Sequence, residues 1–413
     1  MSSSIKRDTD YDILIIGGGM VGASLAAALS NQPLRVGIIE STPLTAKIQP
    51  SYDDRVIALS YGSHRILKSI GVWNELQHDA CPIDHIHVSD RGHCGFTRMS
   101  AEDESVKALG YVVPGRSIGQ ALHAHIDKQS NIDFICPAHW TALESDSNQV
   151  TLIVTKESSK PQTLTTRLLV AADGGQSAIR KKLGIQTKTS NYQQSAIITN
   201  VTPELPHQNR AFERFTETGP LAMLPMTENR CSVVWTARAD QQQEILDLDD
   251  ETFLKRLQER FGYRLGRLTK AGSRFAYPLK LIQALEQVRP RVAIIGNAAH
   301  SLHPLAGQGF NLGLRDVAAL AETIADATQK GDDPGDINTL KQYAEARKQD
   351  HRNVLTATDT LVRLFTQPSI PVAIARNKVL TLLDLLPPAK HLLARHAMGI
   401  AGRQSRLTRG LSL

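Results

Sequence analysis

Over the first 70 residues, the pattern of apolar and polar positions predicts strands that alternate with helices. The apolar run at 13–16, which follows Asp12, is typical of a buried strand, and the mostly small residues at 23–30 favour a helix. A second apolar run at 34–39 predicts another strand. Strands that alternate with helices in this way indicate an α/β fold with a parallel sheet.

Three glycines separate the first strand from the first helix. Gly17, Gly19 and Gly22 occupy the fixed positions of the pattern G-x-G-x-x-G. The first glycine permits a tight turn, the second leaves room for a pyrophosphate, and the third lets the helix pack closely on the strand. The free N–H groups and the positive dipole end of the helix would then face the phosphates.

The second strand ends in an acidic residue, Glu40. In a dinucleotide site a carboxylate at this place accepts hydrogen bonds from ribose hydroxyls, and it would repel a 2′-phosphate. The glycines and Glu40 together predict an adenine dinucleotide, FAD or NAD, rather than NADP. The alternative is an ordinary turn followed by a surface glutamate.

The pattern changes farther along the chain. An apolar strand at 168–170 runs into Asp173 and Gly174, which places a carboxylate at the edge where open α/β sheets bind ligands. From about residue 185 to about residue 285, short strands and polar turns predict an antiparallel sheet that covers a pocket. The strand–helix pattern resumes at 291–296.

A glycine-containing loop follows this last strand. Gly307, Gln308 and Gly309 precede a predicted helix, which makes the loop a second candidate anion site. His300 and His303 lie before its proline but lack a third ligand, so the sequence favours a structural role for both and predicts no metal site.

These changes predict four regions, with a long helix at 340–365 and prolines that divide the residues after it into short helices. The regions are a nucleotide-binding domain at 1–182 (with 76–100 contributing to the next sheet), a β-sheet substrate domain at 183–287, a return to the first domain at 288–335, and a helical region at 336–413.

Composition is that of a globular protein with more than one domain: 413 residues, 41% hydrophobic and 21% charged. The four cysteines are widely spaced, which argues against a disulfide framework or a zinc cluster and fits a reducing cytosol. The first ten residues lack the apolar core of a signal peptide, and no run of roughly 18 apolar residues predicts a membrane span. We therefore expect a cytoplasmic protein.

The net charge of +6 is concentrated near the carboxyl terminus, where no acidic residue follows Asp384. The basic residues there are Lys390, Arg395, Arg403, Arg406 and Arg409. A basic end beside the apolar segment 379–386 is compatible with a lipid surface, an acidic partner or a solvated terminus. For the apolar segment itself, the sequence favours packing against the main body over membrane contact. No aromatic or recognition-helix pattern accompanies these charges, which argues against nucleic acid.

Three segments in this order resemble the single-component FAD-dependent aromatic hydroxylases, the family built like para-hydroxybenzoate hydroxylase. They are the first glycine loop with Glu40, the pair Asp173-Gly174, and the segment 296–311. The family carries an aspartate where this chain has Asn297, and that aspartate bonds a ribityl hydroxyl of the flavin. An amide accepts the same bond without charge, so we expect FAD to bind, though less tightly.

Longer segments resemble one branch of this family, the ubiquinone-biosynthesis hydroxylases, and the 2-polyprenyl-6-methoxyphenol hydroxylases in particular. These segments are 88–93, 210–215, 219–225 and 303–311. The resemblance implies a Rossmann-like FAD-binding domain with an inserted antiparallel β-sheet substrate domain and a C-terminal helical segment.

The resemblance also implies a reaction. FAD is reduced by an external donor, usually NADH or NADPH, reacts with O2 to give a hydroperoxide, and one oxygen atom enters a polyprenylated methoxyphenol. The sequence shows no second dinucleotide site, so a ferredoxin-like protein stays open as the donor. The residues that the resemblance implies in cofactor binding are Gly17, Gly19, Met20, Val21, Gly22, Glu40, Arg55, Arg116, Gln120, Asp173, Asn297, Pro304, Gly307, Gln308, Gly309, Asn311 and Leu312. Judged by position alone, Arg55 fits a surface residue and a bidentate flavin or pyrophosphate donor equally well.

Pro304 and Gly307, in the loop that positions the flavin, are the predicted catalytic positions. No side chain is assigned as the base that activates the phenol, and Tyr192 and Tyr277 are only candidates. A substrate that resides in a bilayer would give the basic end a role in peripheral membrane contact. Two alternatives stay open: a flavin-dependent reductase of a prenylated substrate, and a non-catalytic FAD-bound subunit that associates with other ubiquinone-biosynthesis proteins.

Overall fold

The apolar run near the amino terminus becomes the centre of an eight-stranded sheet. The computed structural model describes residues 9–43, 55–157, 159–301, 308–366 and 370–413. Its strands are β1 (Tyr11–Ile16), β2 (Val36–Ile39), β3 (Val56–Ser60), β4 (Cys81–Ile83), β5 (His85–Asp90), β6 (Phe96–Ser100), β7 (Gly110–Pro114), β8 (Ile132–Ile135), β9 (Ala138–Ser145), β10 (Val150–Lys156), β11 (Gln162–Ala171), β12 (Thr187–Pro203), β13 (Arg210–Thr216), β14 (Gly219–Met226), β15 (Arg230–Arg238), β16 (Leu268–Ala271), β17 (Phe275–Ala284), β18 (Val288–Arg289), β19 (Val292–Ile294) and β20 (His300–Ser301).

The helices lie on both sides of the first sheet, beside the second sheet, and at the end of the chain. They are α1 (Met20–Leu29), α2 (Tyr61–Ser69), α3 (Trp73–Leu76), α4 (Gly115–Ile126), α5 (Ala178–Lys182), α6 (Gln242–Leu246), α7 (Asp250–Phe261), α8 (Gln308–Lys330), α9 (Ile337–Thr366), α10 (Ile370–Leu385) and α11 (Pro387–Ala397). The long helix predicted at 340–365 is confirmed as α9.

The first sheet has the parallel centre that the alternating pattern predicts. Its main path runs β18-β19-β11-β1-β2-β8, and β1 pairs in parallel with β11 and β2. Every residue of β1 is buried, because Ile13 and Ile15 face a core shared with α1 and α8 while Leu14 and Ile16 face a second core. A strand buried on both faces is expected to be apolar. The exception here is Asp12, whose buried carboxylate accepts from Arg35 N (2.9 Å) and Arg167 Nη1 (3.4 Å).

The second sheet has nine strands and covers the first across a cavity. Its main path runs β20-β17-β12-β15-β14-β13-β5-β6, with β16 attached to β12. The sequence predicts an antiparallel sheet, and the pairs are antiparallel except for β5 with β13. These two strands lie more than a hundred residues apart in the chain, so no hairpin dictates their direction. A smaller sheet, β3-β7-β4, closes one side of the cavity.

The carboxyl-terminal helices cover the edge of the second sheet. Helix α10 runs beside β6, where Thr97 Oγ1 donates to the Leu380 carbonyl (2.7 Å) and Arg98 N donates to Asp384 Oδ1 (2.8 Å). The second bond satisfies a backbone N–H that an open edge strand would leave free for aggregation, and the first fixes α10 against the strand. Among the helices within the described ranges, none is both long and apolar enough to cross a bilayer.

Candidate active site

An elongated cavity of about 1100 Å³ lies between the two large sheets. Its floor is formed by the carboxyl ends of β1, β2 and β11, which is the edge where open α/β sheets bind ligands. The predicted cofactor residues on its wall are Gly17, Gly19, Met20, Val21, Glu40, Arg55, Asp173, Asn297 and Gly309. The three distant sequence segments therefore converge on one site.

The first glycine loop has the geometry that its pattern predicts. Gly17 has a φ of +103°, and a Cβ there would lie 2.6 Å from the Ala172 carbonyl oxygen. A Cβ on Gly22 would lie 1.9 Å from the Gly17 carbonyl oxygen. Gly19 is the N-cap of α1, and no side chain caps that helix end. The loop thus leaves backbone N–H groups available for phosphate oxygens.

Glu40 is held in place by backbone donors. Gly18 N donates to Glu40 Oε2 (2.7 Å), and Thr42 N donates to Glu40 Oε1 (2.7 Å). Each carboxylate oxygen keeps a further lone pair, so the fixed group can still accept a ribose hydroxyl.

Asp173 carries a vacant acceptor. Ile179 N donates to Asp173 Oδ2 (3.1 Å), while the buried Oδ1 has no hydrogen-bond partner among the described residues. A buried carboxylate oxygen without a partner is costly, and a hydroxyl or N–H donor of a ligand would satisfy it. This oxygen and the glycine cradle fit a flavin dinucleotide.

The return segment places Asn297 on the cavity side. Gly296 has a φ of +58°, and a Cβ there would lie 2.9 Å from Val21 Cγ1, so the segment packs directly on the first turn of α1. Asn297 is exposed towards the cavity beside Gly309. The Asn297 amide therefore faces the cavity.

A buried polar network fixes α8 beneath this segment. Asp316 accepts from His300 Nε2 (2.7 Å), His351 Nε2 (2.6 Å), Arg347 Nε (2.8 Å) and Gly296 N (3.2 Å). Burial by itself would raise the pKa of Asp316, but His351, His300 and Arg347 hold it well below its usual value. The three side chains His300, Asp316 and His351 lie close enough to ligate a metal ion, yet the guanidinium already compensates this carboxylate. The expectation that His300 lacks a third ligand group is therefore wrong, although its bond to Asp316 gives it a structural role.

The other predicted residues that the structure describes do not line the cavity. Asn311 is bonded to β3, because its Nδ2 donates to the Ala58 carbonyl (2.8 Å) and its Oδ1 accepts from Ser60 N (2.9 Å). Gly22 and Leu312 are buried, Arg116 and Gln120 are exposed on α4, and Gln308 begins α8. Pro304, Gly307 and His303 lie outside the described residues.

Neither candidate tyrosine lies on the wall of the described cavity. Tyr192 OH donates to Asp359 Oδ1 (3.0 Å) on α9, and burial together with Asp359 raises the pKa of this tyrosine above its ordinary value. The Tyr277 ring packs against Arg55, whose Cζ lies 4.5 Å from the ring centroid. Arg55 itself lines the cavity, so the structure favours the interpretation of this residue as part of the site.

The sequence interpretation assigns no role to Glu213, which lies on the cavity wall contributed by the second sheet. Burial raises the pKa of Glu213 to about 8. The alternation of Ala211, Glu213 and Phe215 along β13 puts the three on one face of the strand, but this pattern does not show that the face lines a cavity.

Comparison with known proteins agrees with this geometry. The FAD binding domain family matches residues 10–358. The chain is 40% identical to the ubiquinone hydroxylase UbiL of Rhodospirillum rubrum over 99% of its own length and 95% of that protein. It is 30% identical to the human mitochondrial ubiquinone biosynthesis monooxygenase COQ6 over 94% of its length and 92% of that protein.

A solved structure shares the fold. The p-nitrophenol 4-monooxygenase PnpA of Pseudomonas putida superposes with a TM-score of 0.78 at 18% identity, over 95% of this chain and 98% of that one. The predicted fold class, FAD as cofactor and the family resemblance are confirmed. The chain belongs to the FAD-binding family of ubiquinone-biosynthesis hydroxylases, and it is a FAD-dependent monooxygenase.

Proposed function

We propose that the protein hydroxylates a polyprenylated methoxyphenol, using O2 and electrons from NADH or NADPH. One observation carries this proposal: a single cavity joins a dinucleotide-binding end to an apolar wall. That wall, from the second sheet, includes Ala222, Leu224 and Val234, which suit an aromatic ring and exclude water.

The chain's own residues bind and orient the reactants. The backbone N–H groups around Gly19 would hold the pyrophosphate, Glu40 the adenosine ribose, and Asp173 Oδ1 and Asn297 the flavin side. Gly309 and Phe310 lie in the first turn of α8 and on the cavity wall, so their N–H groups would stabilise negative charge on the bound ring. Bound FAD supplies the activation of O2.

The test is oxygen incorporation. The purified holoprotein would be supplied with NADH or NADPH, a short-chain prenylated methoxyphenol and isotopically labelled O2. We expect one labelled oxygen atom in the phenolic product and none when only the water carries the label. An unlabelled, reduced product would instead identify a reductase, and NAD(P)H consumption without product would contradict hydroxylation of this substrate class.

We also propose peripheral contact with a membrane through α10 and α11. Ile374, Lys378, Leu382 and Leu385 recur at helical spacing on α10, and the three apolar ones are 53%, 55% and 70% exposed. Leu392 on α11 is 59% exposed. Apolar residues with basic neighbours favour an anionic lipid surface.

Vesicle flotation with and without anionic lipid tests this contact. Replacing Leu382 and Leu385 by serine should abolish binding to anionic vesicles. The matched control is Leu285→Ser, because Leu285 is 64% exposed in the segment between β17 and β18. Equal binding by both variants would contradict the proposed surface.

A further inference from the structure

The wall that the second sheet contributes to the cavity is a row of side chains in register across four strands. Glu213 on β13 lies opposite Ala222 on β14, Ala222 opposite Val234 on β15, and Val234 opposite Ile198 on β12. All four line the cavity. Among the described residues that this sheet contributes to the cavity wall, Glu213 is the only ionisable one.

The carboxylate of Glu213 has no internal partner. It makes no hydrogen bond or ion pair within the described part of the chain, and the side chain is partly exposed on the cavity wall. Its neighbours along the same face of β13, Ala211 and Phe215, are buried and apolar. A carboxyl in apolar surroundings without a partner destabilises the fold. The position of Glu213 therefore indicates a ligand that interacts with this carboxyl.

A second polar atom on this wall is also unsatisfied. Ser232 lies opposite Leu224 in the next row of the sheet and lines the cavity. Its Oγ is buried and has no hydrogen-bond partner among the described residues. An apolar wall with one carboxyl and one hydroxyl matches an aromatic ring that carries neighbouring oxygen substituents.

We propose that Glu213 is the base that accepts the phenolic proton of the substrate, and that Ser232 positions the oxygen substituents of the ring. This inference rests on the proposed function, because it assigns a role within phenol hydroxylation.

The proton transfer strengthens the nucleophile. The phenolic O–H bond breaks, its proton goes to the Glu213 carboxylate, and the electron pair left on oxygen increases the electron density of the ring. The activated ring carbon then takes one oxygen atom of O2 and releases its own hydrogen as a proton, so the ring regains aromaticity. The other oxygen atom leaves as water, with two electrons from NADH or NADPH balancing the reaction.

The acidity of Glu213 suits this task. Burial raises its pKa to about 8, which is closer to the pKa of about 10 of an ordinary phenol than a solvated carboxylate would be. Across the cavity the ionisable groups are Arg55, Glu40, His139 and Asp173, of which the last three lie towards the nucleotide end.

The elements packed beside this strand carry charges that are already paired. Helix α9 packs on β13 and β14, and its Asp359 accepts from Arg363 Nε (2.8 Å). On β5, the buried Asp90 accepts from Arg376 Nε of α10 (2.7 Å). Neither pair contributes to the raised pKa of Glu213, whose cause is burial.

The test compares Glu213→Gln with Glu213→Asp in the FAD-loaded enzyme. At pH 7.5 we expect Glu213→Gln to lower kcat for a short-chain prenylated methoxyphenol by about 10²- to 10⁴-fold. The wild-type rate should rise with pH to a plateau above about pH 8, the pKa of this carboxyl. The rate of Glu213→Gln should lack that inflection. It should instead keep rising with pH until the phenol itself ionises, at a pKa of about 10. Glu213→Asp should keep an inflection at a reduced rate.

A phenol that is already ionised separates a base from a merely structural residue. With an analogue whose hydroxyl is ionised throughout the assay range of pH, the kcat of Glu213→Gln should be no more than a few-fold below that of the wild type. Ser232→Ala should raise KM and leave the pH profile unchanged. Equal loss on both phenols, or an unchanged rate and profile in Glu213→Gln, would overturn the assignment.

Absence of oxygen incorporation in the wild type and failure of Glu213→Gln to bind FAD have different consequences. If the wild type places no labelled oxygen in the phenol, the proposed function fails rather than the role of Glu213. If Glu213→Gln cannot be loaded with FAD, the wild type still decides: its inflection near pH 8 must disappear with the ionised phenol, and its persistence would overturn the proposal.

Discussion

The two ends of the cavity are built on different principles. At the nucleotide end the contacts are backbone groups and fixed carboxylates: Gly17 allows a turn that no other residue adopts easily, and two backbone N–H groups hold Glu40. At the end formed by the second sheet, the wall is apolar side chains with one carboxyl, Glu213, and one hydroxyl, Ser232.

This difference separates binding from chemistry. At the nucleotide end, close packing fixes the glycine loop and hydrogen bonds hold Glu40, while Asp173 Oδ1 is the polar atom left for a ligand. The sheet end leaves its polar groups unsatisfied, so their energetic cost is recovered when a substrate binds. Substitutions at one end should therefore affect one ligand and spare the other, which makes the comparison testable.

The largest expected effect is at Gly22. A methyl group in Gly22→Ala would lie 1.9 Å from the Gly17 carbonyl oxygen, so α1 and the loop must separate. We expect FAD affinity to fall at least ~100-fold, on the order of 3 kcal/mol, measured by flavin titration. Gly175→Ala is the control, since its Cβ would meet nothing nearer than Ser301 at 3.9 Å. A wild-type FAD affinity in Gly22→Ala would contradict the role of this close packing in FAD binding.

A smaller effect is expected at Asp173. Removing its carboxylate in Asp173→Ala deletes the vacant Oδ1 acceptor and the bond from Ile179 N. Loss of a hydrogen bond to a charged group costs about 1.5–3 kcal/mol, so FAD should bind about 10- to 100-fold more weakly. Asp173→Asn keeps one oxygen acceptor, so its FAD affinity should lie between those of the wild type and Asp173→Ala. If both variants bind FAD as the wild type does, Oδ1 is not a cofactor ligand.

The nucleotide end of the cavity could be predicted from local sequence patterns. Gly17, Gly19 and Gly22 report backbone conformation directly, and Glu40 follows at a spacing set by one helix and one strand. The buried strand β1 was readable for a similar reason, since its residues 13–16 are apolar, as expected of a strand covered on both faces.

The sheet end could not be read in this way. Glu213 reaches the cavity because β13, β14, β15 and β12 align in one register, and β5 joins β13 in parallel from a distant part of the chain. Register between strands depends on non-local packing, which residue spacing does not encode. The sequence offers Tyr192 only as a candidate base and favours a core or surface role, and the fold bonds its hydroxyl to Asp359.

The most direct test of the central claim is a titration of FAD-loaded Ala222→Phe with a short-chain prenylated methoxyphenol, followed through the flavin absorbance. Ala222 lies at the middle of the cavity wall of the second sheet and is 7% exposed, so a phenyl ring there would occupy the space assigned to the substrate. We predict an unchanged FAD content and at least ~10-fold weaker phenol binding, about 1.4 kcal/mol or more. Unchanged phenol affinity, or loss of FAD together with the phenol, would contradict the division of the cavity into a nucleotide end and a substrate end.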